Sequence, residues 1–170
     1  MNSFILKGNI CYSISKTELK TVSGYIVCSD GKCAGVFEEL PEKYKHLELR
    51  DLNDKLIIPG MVDLHIHAPQ YAFRGMGMDY ELIEWLNTQT FPEEAKYKDA
   101  DYAKKAYTIF ADNMKNSATT RACIFATRHR QATEILMDLM EETGLVTYVG
   151  KINMDRSAPD ELVEESADMS

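Results

Sequence analysis

Ile57-Ile58-Pro59-Gly60-Met61-Val62-Asp63-Leu64-His65-Ile66-His67 marks where this chain changes character. Leu56, Ile57 and Ile58 form an apolar lead, Pro59-Gly60 interrupts it, and Met61, Val62, Leu64 and Ile66 resume it, the pattern of a buried strand behind a break. Side chains on a strand alternate faces, so His65 and His67 point the same way and can grip one metal ion. The plain alternative is a pair of core or loop histidines with ordinary hydrogen bonds. A position at a strand end after an apolar run with Pro-Gly favours the metal role.

Working outward, the two sides of Pro59-Gly60 differ. Residues 1–58 are rich in short β-type segments, Phe4 to Ile14, Thr21 to Cys28, Cys33 to Phe37 and Leu47 to Leu49, with Gly8-Asn9, Ser23-Gly24 and Asp30-Gly31 between or within them. This predicts a small β-sheet module, with Cys28 and Cys33 facing each other across a hairpin. Residues 59–170 alternate strand and helix, the signature of βα units on a parallel sheet. Asp79 is expected to cap a helix carrying Leu82, Ile83, Trp85 and Leu86. A second helix is expected over Asp101 to Asn116, with Ala103, Ala106, Tyr107, Phe110 and Met114 on one face. A third carries Ile135, Leu136, Leu139 and Met140 and stops at Gly144. Ala122 to Ala126 and Leu145 to Val149 read as buried strands, and Ser157-Ala158-Pro159-Asp160 as the start of another helix capped by Ser157. The fold class is α/β with three βα units, whereas a closed (β/α)8 barrel needs eight in roughly 250 residues. The 170-residue chain is too short for that.

Composition narrows the partners. The chain is 45% hydrophobic with a formal net charge of -8, which argues against nucleic acid and anionic membrane and for a small molecule. No apolar run has the roughly 18 residues of a membrane span and no signal-peptide order is present, so the expected location is cytoplasmic. The four cysteines form no C-x-x-C pair and are expected as reduced thiols.

The segment I-P-G-M-V-D-L-H-I-H-A-P-Q at 58–70 resembles the first-strand signature of the amidohydrolase superfamily of zinc hydrolases. More narrowly, H-A-P-Q-Y-A-F-R-G at 67–75, L-I-E-W-L-N-T-Q-T-F-P-E-E at 82–94 and F-A-T-R-H at 125–129 resemble the guanine deaminases. The resemblance implies that residues 59–170 form the first three βα units of an amidohydrolase barrel, incomplete in this chain, and that residues 1–58 form a partial β-sandwich. By position it implies that His65 and His67 are ligands of Zn²⁺ and that Gln70 hydrogen-bonds a purine, guanine, whose mixed edge suits an amide that both donates and accepts. It also implies hydrolytic deamination of guanine to xanthine and ammonia and, in the complete protein, a homodimer.

Catalytic proton-transfer groups and the remaining ligands are expected beyond residue 170. Another amidohydrolase-type deaminase, a chlorohydrolase, or an inactive fragment or scaffold needing a complementing chain are the alternatives. The H-x-E and P-C-x-x-C pattern of cytidine-type deaminases is missing. His129, which ends F-A-T-R-H, is expected to be a supporting residue rather than a third ligand, and Trp85 and Phe91 to be packing residues. Asn116-Ser117 stands where the resemblance expects a glycine after the asparagine, a change expected to strain a turn.

Overall fold

A computed structural model describes residues 3–166, which divide into two compact units between Pro59 and Gly60. The first unit is a four-stranded sheet in the order β3-β2-β1-β4, built from β1 (Phe4–Ser13), β2 (Leu19–Ser29), β3 (Lys32–Phe37) and β4 (Glu48–Ile57). The strands β1, β2 and β3 run antiparallel in turn, while β4 lies parallel to β1. Ile5, Ile10, Val22 and Val27 are its buried side chains. Asp30 and Gly31 close the β2–β3 hairpin with both residues at positive φ, 53° and 75°, the conformation of a two-residue type I′ turn. Cys28 pairs with Cys33 across it in the strand register, and none of the four cysteines is in a disulfide. The expected strand at Leu47 to Leu49 continues to Ile57, because β4 pairs with β1 on both sides of an irregularity, through Glu48 to Asp51 and again at Leu56 and Ile57, with Asn53 at a φ of 54° between.

The second unit contains the parallel sheet β5-β6-β7, formed by β5 (Met61–His67), β6 (Thr119–Phe125) and β7 (Val146–Gly150); β7 stands at the end of the strand order with Val146 and Tyr148 exposed, where a buried strand was expected. Helices α3 (Ala100–Lys115) and α4 (Arg130–Thr143) follow the first two strands. The core consists of Ala103, Tyr107, Phe110, Ala111 and Met114 of α3, Ala132, Leu136 and Met140 of α4, and Ala122, Ile124 and Ala126 at and after β6. The helix α3 begins where the Asp99 carboxylate accepts from the backbone N–H of Asp101 and Tyr102 at 2.8 and 3.3 Å. Gly144, at φ 74°, ends α4 as expected.

Three local expectations are corrected. The helix after Asp79 is α1 (Leu82–Trp85), whose cap position is Glu81; Asp79 lies in a turn closed by Tyr80 N–H donating to the Gly77 carbonyl. It continues as a π-helical turn, Leu86–Thr90, into α2 (Phe91–Lys96). No helix begins at Ser157 among the described residues: its φ of 58° is left-handed, a cap needs extended backbone, and the chain turns where Leu162 and Val163 donate to Pro159. Ser117 strains nothing. Asn116 sits at φ -95°, and the Ser117 hydroxyl donates to the Met114 carbonyl at 2.8 Å while accepting from Thr119 N–H at 3.0 Å.

Two positions carry the fold's clearest constraints. A methyl added at Gly60 would meet Thr120 Cγ2 and Oγ1 at 2.2 Å and its Cβ at 2.7 Å, so glycine is what lets β5 start beside β6. Gly60→Ala is expected to lower unfolding free energy by about 1–3 kcal/mol in urea titrations. Adding Thr120→Ala should recover only part of this, because the Thr120 Cβ itself lies too close.

Glu94 of α2 is 3% exposed, and burial pushes its carboxyl up to about 7. Its folded value lies above the unfolded one, so the protonated form stabilises the fold. Unfolding free energy should therefore fall as pH rises from about 4.5 towards 7, by about 3 kcal/mol. Urea unfolding between pH 5 and 8 should show this slope, and Glu94→Gln should flatten it.

Candidate metal and ligand site

Parallel pairing places the carboxyl ends of the three strands side by side, with His67 opposite Phe125 and Phe125 opposite Gly150. The sheet's α3 and α4 side takes Ala122 and Ile124, leaving His65, His67 and Phe125 for the other face. The two histidines meet as the strand spacing requires: their Nε2 atoms lie 3.2 Å apart and their ring centroids 5.0 Å apart. Phe125 packs against both rings, with centroids 4.6 Å from His65 and 4.9 Å from His67, the latter nearly parallel at 17°.

The Nε2 spacing is compatible with a metal role. Two nitrogens about 2.0–2.1 Å from a tetrahedral zinc stand about 3.3 Å apart, close to the observed 3.2 Å. One ring donating Nε2–H to the other would satisfy the same contact. Burial, then His65, holds the His67 imidazole below its usual pKa, which keeps a lone pair available to a cation. His67 Nδ1 is buried with no hydrogen-bond partner among the described residues. The Asp63 carboxylate accepts from His65 N–H at 3.0 Å, fixing the backbone ahead of the pair. The residues present fit two ligands of such an ion; no group of three His, Cys, Asp or Glu able to hold a metal occurs among the described residues.

After His67 the chain enters a 3-10 turn, Ala68–Phe73, with Pro69 in its first turn. This carries Gln70 to the wall of a cleft of about 610 Å³ that also contains His65 and His67. The turn is pinned by Arg74, whose guanidinium donates to the Tyr71 carbonyl at 2.8 Å and stacks 4.0 Å over the Tyr71 ring. Tyr71 in turn meets Phe110 edge-on, and Tyr97 donates to the Pro69 carbonyl at 3.4 Å. Trp85 packs on Phe73 with centroids 5.6 Å apart and also lines the cleft, so it does more than the expected packing. Phe73, Arg74 and Met76 of the lining were not singled out from sequence; the F-R of the H-A-P-Q-Y-A-F-R-G segment pointed to the first two, and Met76 lies beyond it.

His129 takes another place. It occupies the cap position of α4, its backbone N–H donates to Thr127 Oγ1 at 3.0 Å, and its Nε2 is buried without a partner among the described residues. Burial, then Arg128 and Lys98, depresses its pKa. Arg128 reaches the Val163 carbonyl and Arg130 pairs with Glu134, so this basic cluster is spent on helix and loop contacts.

The comparisons agree with this arrangement. Residues 56–169 match the amidohydrolase family. A guanine deaminase of Dictyostelium discoideum is 32% identical over 94% of this chain and 40% of its own length, and that of Mus musculus is 42% identical over 66% and 25%. The crystal structure of guanine deaminase from C. acetobutylicum, with bound guanine in its active site, is 45% identical with a TM-score of 0.90 over 96% of this chain and 39% of that one. For E. coli guanine deaminase the values are 30%, 0.81, 96% and 40%. The chain thus spans two fifths or less of the length of these relatives. Because the family match runs through the histidine strand, the turn bearing Gln70 and both core helices, the chain belongs to the amidohydrolase family.

Proposed function

We propose that this chain supplies the first-strand part of a guanine deaminase site, two metal ligands and one purine contact, for hydrolysis of guanine to xanthine and ammonia. The observation that carries the reading is the Nε2 pair 3.2 Å apart in one cleft with Gln70. It is supported by relatives that are guanine deaminases over the same residues.

His65 and His67 would hold a zinc ion through Nε2. Such an ion lowers the pKa of water towards neutrality and so supplies a nucleophile at physiological pH. The chain's own residues do the positioning. Gln70, set by the 3-10 turn, offers an amide N–H and an amide oxygen to the ring edge of guanine, which has both donors and acceptors. Phe73, Trp85 and Leu86 give the cleft apolar walls that keep water from competing for those hydrogen bonds. The proton delivered to the leaving amine is not assigned to any residue of this chain.

Zn²⁺ should bind the 170-residue chain and lose that binding in His65→Ala, followed by competition with a chromogenic chelator; unchanged binding would remove the metal assignment. The chain with Zn²⁺ should show no conversion of guanine to xanthine by ultraviolet absorbance, since two ligands and no proton carrier do not make a catalytic site. A chimera in which this chain replaces the matching part of the C. acetobutylicum enzyme should convert guanine. In it, Gln70→Ala should raise KM about 10- to 100-fold, the cost of an unpaired buried hydrogen-bonding edge. A chimera that folds, holds zinc and still leaves guanine untouched would overturn the substrate reading.

A further inference from the structure

Metal-binding histidines ordinarily have their second ring nitrogen tied to a carboxylate, carbonyl or water, which fixes how the ring is turned. In His67 that nitrogen is buried, and no side chain or carbonyl among the described residues reaches it. What does meet the ring is Phe125, stacked on His67 at 4.9 Å and 17° and tilted against His65 at 4.6 Å. The contact is imposed by the sheet, because Phe125 is the β6 residue in register with His67. One phenyl ring therefore limits the rotation of both imidazoles at once.

We propose that Phe125 is the positioning residue of the histidine pair, holding both Nε2 atoms towards one point by ring packing. This rests on the metal reading of His65 and His67. Two consequences of the geometry favour binding. The rings are already restrained before a cation arrives, so less side-chain freedom is lost on binding. The π-face of Phe125 also lies beside imidazoles that become electron-poor when they share a divalent cation, an arrangement favourable for the same electrostatic reason as a cation over an aromatic ring.

The test uses the 170-residue chain, ¹⁵N-labelled and titrated with Zn²⁺, with the side-chain nitrogens of His65 and His67 followed by long-range ¹H–¹⁵N correlation. The unchanged chain should show both Nε2 resonances moving together. Phe125→Leu, which keeps an apolar side chain and removes the ring, should weaken zinc binding about tenfold, the lower end of what loss of a ring-orienting contact costs. Phe125→Tyr, which keeps the ring, should bind as the unchanged chain does. Thermal unfolding of each variant reports whether the fold is retained. Equal zinc affinity in a folded Phe125→Leu chain, or equal loss in the Leu and Tyr variants, would overturn the proposal.

If Phe125→Leu does not fold, the unchanged chain still decides: His67 ring protons should be shifted upfield by the phenyl ring, with contacts from Phe125 to both imidazoles, and their absence overturns it. His65→Ala separates the two claims. Zinc retained in His65→Ala refutes the metal reading, whereas zinc lost there but kept in Phe125→Leu refutes only the role of Phe125.

Discussion

The parallel register of β5, β6 and β7 is the constraint on which the second unit depends. It sets His67, Phe125 and Gly150 in one row at the strand ends, and a slip of one residue in β5 would put Ile66 where His67 stands. Apolar packing on one side of the sheet enforces the register: Ala122, Ile124 and Ala126 are buried with α3 and α4, and Ile66 packs against the same cluster. At the other end of β5, Met61 N–H donates to the Ala118 carbonyl at 2.8 Å, a contact that Gly60 permits by carrying no Cβ. Site geometry here is thus a by-product of core packing, with the functional face ordered by what lies behind it.

Much of this was legible in the chain because the signals were local and unopposed. The α4 stripe with its Gly144 stop, the Asp30-Gly31 hairpin and the H-x-H strand all follow from periodicity or from the φ a residue tolerates. The errors came where several residues could have played one part. Asp79 and Glu81 both precede α1, and the turn from Gly77 to Tyr80 takes Asp79 out of reach of the cap. Ser157 has the composition of a cap but a left-handed backbone.

The site was legible only as far as its polar residues. His65, His67 and Gln70 announce themselves by type and spacing, and the structure brings all three into one cleft. Phe125 does not, because an apolar residue at the end of an apolar strand looks like any other core position until the pairing partner is known. The cluster around Glu94 was equally silent. A glutamate followed three residues later by a tyrosine gives no sign of burial, yet Glu94, Tyr97 and Tyr107 are all withdrawn from water, and the Tyr97 hydroxyl reaches the Pro69 carbonyl one residue before Gln70.

The π-helical turn Leu86–Thr90 lies between two helical stretches with different duties. Before it, Trp85 faces the cleft; after it, Glu93, Glu94 and Tyr97 face the interior. A turn that spends one residue more than an α-helix changes the angular phase of everything downstream by about 100°. Both orientations are therefore available to one nearly continuous helix only because of that extra residue. The length of Leu86–Thr90 sets that phase, while Leu86 also lines the cleft and Thr90 is buried. Deleting one residue there would turn the tyrosine behind Pro69 away from the turn while leaving every side chain of the cleft in the sequence.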